Sequence, residues 1–153
     1  MLSLLVTITF FGQPNWECVY YNDYPENNVR ETTIGQITYK NDLSYTSKSS
    51  ITYSNLNTDQ VFAKFTFQES GKAHVQSSNE FYLDGHAYNF NKVIDSKNHF
   101  SDSYLNELDA FFNKELPKKE KVLKIVKHSG DRMEVLHEKS GTVTKCRALP
   151  KGI

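Results

Sequence analysis

Polar and apolar residues alternate most regularly between Leu43 and Ser54. Odd-numbered positions hold large apolar residues and two small ones, Ser47 and Ser49, whereas every even-numbered position holds Ser, Thr or Lys. A period of two puts these sets on opposite faces of a β-strand. The segment therefore predicts a long strand with one solvated face and one partly buried face.

Shorter segments of strand-like sequence on either side predict further strands, at 16–22, 34–40, 61–67, 73–77, 81–83, 86–93, 121–127, 132–137 and 142–149. Polar turns separate them. Two glycine-containing turns are expected, at 69–72 and at Asp84-Gly85, because an Asp-Gly pair readily adopts the positive φ angles of a tight hairpin. Consecutive strands with local turns indicate an antiparallel meander.

One segment has a helical period instead. Six large residues between positions 101 and 116 fall on one side of a helix: Tyr104, Leu105, Leu108, Phe111, Phe112 and Leu116. Ser101 is a suitable N-cap, and Pro117 can end the helix. We expect its apolar side to cover a barrel mouth or an outer sheet face.

These elements together predict an all-β fold. So many short strands suit a closed or nearly closed antiparallel meander barrel of about 8–10 strands, since closure removes exposed strand edges. One α-helix near residues 101–116 completes it. The length of 153 residues fits one domain, which we place at 13–153.

Residues 1–12 are predicted to be a signal peptide. They are apolar and uncharged, and too short to span a bilayer. Cleavage is expected between Thr9 and Asn15, although no small-x-small site stands out and the usual basic residues are missing. A first buried strand is the alternative. The signal predicts an extracytoplasmic location, periplasmic or secreted, without a stable membrane span.

Cysteine usage agrees with export. The chain has two cysteines, Cys18 and Cys146, one near each end. Two lone cysteines can be inert buried thiols, but in an exported protein an even pair indicates a disulfide. That bond requires the first and last strands to be neighbours, as they are in a closed barrel.

The predicted export signal, the Trp of the first strand, the meander, the late helix and the Cys-Arg of the last strand resemble a lipocalin-like (calycin) barrel. In that family a Trp on the first strand packs under an Arg near the end of the barrel, and Trp16 and Arg147 occupy matching places. The resemblance implies a barrel that holds a small ligand.

Composition and motifs exclude several function classes. Lys and Arg balance Asp and Glu, so the neutral chain is not expected to bind nucleic acid. His74, His86 and His99 show no zinc-ligand spacing, and neither a nucleophile elbow nor a phosphate-binding glycine loop occurs. We predict no metal, no cofactor and no enzymatic activity.

Beside a structural domain of unknown role, two functional hypotheses remain. In the first, the barrel holds a small apolar or aromatic ligand against inward-facing rings, and the helix near Phe111 and Phe112 forms a lid; the ligand-binding residues would be Tyr39, Tyr45, Tyr53, Phe65, Phe67 and Phe81. Ser47 and Ser49 would leave space in the middle, and a cavity of at least about 300 Å³ is expected. In the second, the loops 22–30 and 55–60 bind a protein, as in a periplasmic inhibitor or immunity protein.

Overall fold

The computed structural model describes residues 14–150. The predicted signal peptide, 1–12, lies outside the described residues. The strands are β1 (Asn15–Tyr24), β2 (Val29–Tyr39), β3 (Ser44–Asn55), β4 (Val61–Val75), β5 (Glu80–Asp95), β6 (Leu123–Ser129), β7 (Arg132–His137) and β8 (Val143–Ala148), and the α-helix is α1 (Asp102–Phe112). Short 3₁₀ turns occupy Pro25–Asn27 and Lys118–Glu120.

The eight strands of the described residues form a closed barrel. Each strand pairs antiparallel with the next one in the chain, and β8 pairs with β1. The predicted fold class, an all-β meander barrel with one helix, is confirmed. The long strand predicted at 43–54 is β3, and its serines at 47 and 49 lie on the inner side of the wall, as predicted.

The predictions of two glycine-containing hairpin turns are both wrong. Positions 69–72 and 84–85 lie inside the long strands β4 and β5, where Gly71 pairs with Gly85, and the actual turn is at 76–79. The glycines serve the interior, since Tyr45 pairs with Gly71 and a Cβ atom at Gly85 would overlap the Tyr45 hydroxyl. The two hairpins predicted between residues 61 and 93 are therefore one long hairpin, formed by β4 and β5.

The barrel wall is complete in only one half. Within the described residues, β5 pairs with β6 at Glu80 and Phe81 alone. Strands β6 to β8 are six or seven residues long and close the half near the β2–β3 turn, which we call the lower half. In the upper half, near the β1–β2 turn, β1 to β5 form the wall, and α1 packs its apolar side against the residues inside.

Helix α1 is shorter than predicted. Ser101 caps it as expected, its Oγ accepting a hydrogen bond from the Tyr104 amide at 3.1 Å. The helix ends at Phe112 because Asn113 turns its side chain to β5, where its amide pairs with both backbone groups of Ala87 at 3.0 Å. Leu116 consequently lies outside the helix and is 40% exposed. No helix among residues 14–150 is both long and apolar enough to cross a membrane.

A disulfide joins the first and last strands. Cys18 and Cys146 are direct partners across β1 and β8, with a Cα–Cα distance of 4.1 Å and an S–S bond of 2.08 Å. The predicted disulfide is confirmed. The bond closes a loop between residues 128 positions apart in the sequence, and it ties the ring together at the point where its two ends meet.

The Trp–Arg packing implied by the family resemblance is wrong. Trp16 is fully buried inside the lower half, whereas Arg147 pairs with Glu17 and lies on the outer face. The Arg147 guanidinium donates to Glu17 Oε1 from Nε at 3.0 Å and from Nη2 at 2.8 Å. Neighbouring positions on a strand point to opposite faces, so this register separates the two side chains.

Candidate functional site

The barrel interior contains two apolar clusters, one in each half. The lower cluster consists of Trp16, Tyr39, Tyr45, Ala73, Phe81, Ile125, Met133, Val135 and Cys146. The upper cluster consists of Ile51, Ala63, Phe65, Phe67, Ala87 and Phe100, against which Tyr53, Phe62, Phe90, Tyr104, Leu105, Leu108 and Phe112 pack. Both clusters are dense in rings, and the middle of the barrel lies between them.

A central cavity of about 220 Å³ occupies this middle region. Its lining includes rings of both clusters, among them Tyr45, Phe67 and Phe112, together with Ser47 and Ser49 on β3. The volume is below the 300 Å³ expected for a carrier of larger ligands. A dry cavity of about 150 Å³ is known to accept benzene, however, so this one is large enough for a single substituted ring.

A belt of polar groups surrounds the cavity. The Tyr45 hydroxyl donates to Glu69, and His137 Nε2 shares a hydrogen bond of 3.1 Å with Thr144 Oγ1. Thr33 Oγ1 is buried at the cavity wall and has no hydrogen-bond partner among the described residues. A buried hydroxyl without a partner is costly, so this position favours a ligand that supplies a polar atom.

The tyrosines at the cavity are held in their neutral form. Burial, together with the nearby Glu69 carboxylate, raises the pKa of both Tyr39 and Tyr45 well above the ordinary tyrosine value. Burial alone lowers the pKa of His137. The belt therefore presents neutral hydroxyls and a neutral imidazole near one carboxylate, which suits hydrogen bonding to an uncharged ligand.

The six predicted ligand-binding residues do not share one site. Tyr39, Tyr45, Phe67 and Phe81 line the central cavity. Phe65 is fully buried in the upper cluster. Tyr53 lines a separate pocket at the upper end of the barrel. The structure thus brings four of the six together.

Several cavity residues were missed by the sequence prediction. Glu69 falls in the predicted turn at 69–72, although it continues the inward alternation through Phe65 and Phe67 and is an interior residue of β4. His137 and Tyr20 also line the cavity, and their rings lie 6.3 Å apart. Extending the period of two past residue 67 would have found Glu69.

The predicted lid is half correct in its geometry. Phe112 lines the cavity and packs on Phe67 and Phe90, with ring centroids 5.5 and 5.8 Å apart. Phe111 is 70% exposed and does not line the cavity. Adjacent residues on a helix point about 100° apart. Phe111 therefore faces away from the interior when Phe112 faces it.

The histidines and other candidate ligands are dispersed. His74 stacks on Tyr82 at 4.6 Å between ring centroids on the outer face, and His86 is exposed. Within residues 14–150, no group of three His, Cys, Asp or Glu side chains is arranged to hold a metal ion. Neither His74 nor His86 lines the central cavity.

The two loops proposed for protein binding are neighbours at the upper end. The Leu56 amide donates to the Asn28 carbonyl at 3.1 Å, which joins the β1–β2 turn to the β3–β4 turn. The Asn55 side chain accepts from the amides of Asn57 and Thr58. Both loops are thus short and internally hydrogen-bonded.

No protein-family model matches the chain, and no curated protein matches it. The described residues form an antiparallel eight-stranded ring with one helix.

Proposed function

We propose that this protein is an exported, lipocalin-like binding protein whose central cavity holds a small, uncharged aromatic molecule with a hydroxyl group. The observation that carries the proposal is the pairing of ring walls with a buried hydroxyl, Thr33 Oγ1, that has no hydrogen-bond partner within residues 14–150. Ligand pockets typically combine apolar walls with a few placed polar groups.

The size of the cavity limits the ligand. A volume of about 220 Å³ exceeds the benzene-sized cavity and falls short of the range for drug-sized ligands. Phenol and its singly substituted relatives fit this range. A charged ligand is disfavoured, because the nearby carboxylate of Glu69 repels anions and a half-enclosed apolar cavity desolvates any ion.

The location is part of the same proposal. Disulfides form and persist in oxidising compartments and are uncommon in the cytosol of most organisms. The Cys18–Cys146 bond is compatible with an extracytoplasmic location, and the predicted export signal agrees with it.

Titration calorimetry with phenol and with toluene, two rings of nearly equal size, tests the function. We expect saturable binding of phenol at least about tenfold tighter than that of toluene, since the hydroxyl satisfies buried polar groups of the belt. If phenol shows no binding up to about 10 mM, the proposal is overturned. Equal binding of the two would overturn the role of the hydroxyl.

A matched pair of variants locates the site. Ser47→Val adds bulk at the cavity wall, whereas Ser50→Val makes the same change on the outer side of the same strand, β3. We expect Ser47→Val to weaken phenol binding at least about tenfold and Ser50→Val to leave it unchanged. Undiminished binding by Ser47→Val would show that phenol binds elsewhere.

The protein-binding alternative stays a prediction. The paired loops at the upper end form a rigid surface, and no described contact identifies a partner for it.

A further inference from the structure

A second pocket lies at the upper end of the barrel, apart from the central cavity. It has a volume of about 410 Å³ and shares no lining residue with the cavity. The β1–β2 turn, strands β2 to β4, the loop after β5 and the start of α1 all contribute to it, through Asn27, Val29, Tyr53, Phe62, Lys97, His99, Phe100 and Tyr104.

Rings form most of the pocket wall. Tyr53 lies near Phe62 and Phe100, with centroids 6.4 and 5.9 Å apart, and Phe100 stacks on Tyr104 at 5.6 Å. Aromatic rings favour further rings at such separations, in offset or edge-to-face arrangements. The wall therefore suits a flat aromatic group.

Lys97 brings a positive charge to the rim of the pocket. Lys97 Nζ lies 4.2 Å from the centroid of the Phe62 ring and makes no ion pair with any residue of the described chain. The His99 ring lies 5.8 Å from that of Phe62. These two side chains offer N–H donors to an acid group on the ligand.

The nearby carboxylates are already engaged by protein groups. Asp95 accepts hydrogen bonds from the backbone amides of His99 and Phe100, at 2.6 and 2.7 Å. Glu31 accepts from the Asn22 side chain at 3.1 Å and is hydrogen-bonded to the Tyr53 hydroxyl. Neither carboxylate pairs with Lys97, so the ammonium group is left to bind an anion from outside.

We propose that this pocket binds a small planar aromatic carboxylate, with its ring against Tyr53 and Phe100 and its carboxylate on Lys97 and His99. The apolar wall contributes through ring contact and burial, and the lysine selects the charge. This ligand class differs from that of the central cavity in charge, so the two sites are separable by experiment.

Two-dimensional ¹H–¹⁵N NMR titration of the whole protein with benzoate and with benzamide, its uncharged counterpart, tests the inference. We expect saturable shifts at residues 97–104 with benzoate and binding about tenfold weaker with benzamide. No saturable shift with benzoate up to about 10 mM would overturn the proposal, as would equal binding of benzamide.

The variant Lys97→Met keeps the length and apolar stem of the side chain and removes its charge. It should weaken benzoate binding about tenfold and leave benzamide binding unchanged. Lys40→Met, in the exposed turn at the opposite end of the barrel, is the matched control and should bind as the unaltered protein does. Equal benzoate affinity of Lys97→Met and Lys40→Met would contradict the assigned role of Lys97.

The variant Ser47→Val separates this site from the cavity. It should retain benzoate binding, since residue 47 lines the central cavity and is absent from the upper pocket. Loss of benzoate binding in Ser47→Val, with retention in Lys97→Met, would place benzoate in the cavity and overturn the inference.

Discussion

Tyr45 shapes the lower half of the barrel through the glycines beneath it. Its side chain lies across Gly71 and Gly85 of neighbouring strands, and its hydroxyl reaches Glu69 at the cavity. Glycine is needed here for space, because any Cβ atom would meet the tyrosine or the adjoining backbone. The two strand glycines thus leave room for the Tyr45 hydroxyl inside the barrel.

The variant Gly85→Ala should lower the free energy of unfolding by about 1–3 kcal/mol, as overpacking does in well-packed interiors. Its Cβ atom would overlap the Tyr45 hydroxyl and crowd the Ser70 carbonyl. Urea unfolding measures the loss. The double variant Tyr45→Phe/Gly85→Ala should recover part of it, since one of the two overlaps is gone; strictly additive effects would contradict the contact.

His137 should make stability depend on pH. Burial lowers its pKa in the folded state, so below about pH 6.5 the unfolded chain binds the proton more readily. Stability is therefore fully present above that pH and falls as the pH drops toward the folded-state pKa. Urea unfolding at pH 7.5 and 5.5 should show this loss, and His137→Gln should show a smaller one. An equal loss in both proteins would assign the effect to other groups.

Among the strands of the described residues, β5 has the longest unpaired edge. Above Phe81 it has no neighbouring strand on one side within the described residues. Asn113 pairs with that edge, its side-chain amide donating to and accepting from the backbone of Ala87 as a peptide group would. An open edge is a site for unwanted strand pairing, so one side chain both ends α1 and protects β5.

The variant Asn113→Ala should lower the free energy of unfolding by about 1–3 kcal/mol, because it removes two hydrogen bonds and leaves partly buried backbone groups unpaired. Hydrogen exchange of the Ala87 amide should accelerate as well. Asn106→Ala, at an exposed position of the same helix, is the control and should change neither quantity. Unchanged exchange at Ala87 in Asn113→Ala would contradict the bridging role.

For the whole molecule, the disulfide is the largest single constraint. The chain-entropy model assigns about 5 kcal/mol to a loop of this length, as an upper estimate. The double variant Cys18→Ala/Cys146→Ala should therefore unfold at a markedly lower temperature in a thermal melt. A melting temperature equal to that of the oxidised protein would show that the pairing of β1 with β8 suffices alone.

Much of this architecture was predictable, because periods of two and 3.6 record which side chains are buried. The barrel and the helix follow from that record, whereas the disulfide follows from the even pair of cysteines in a chain with a predicted export signal. Gly71 and Gly85 misled the prediction, since a glycine placed for a neighbouring tyrosine has the same local sequence as a glycine placed for a turn. The split of the aromatic residues into two sites depends on where each strand meets its neighbours, which alternation alone does not specify.

Within the described residues, the seam between β5 and β6 is the most sparsely paired joint of the barrel. Two residue pairs join β5 to β6 there, whereas four residue pairs and a covalent bond join β8 to β1. Ile125 of β6 and Met133 and Val135 of β7 nevertheless pack in the same apolar cluster as Trp16 and Phe81. Side-chain packing, rather than the short backbone ladder, therefore keeps the ring shut along this line.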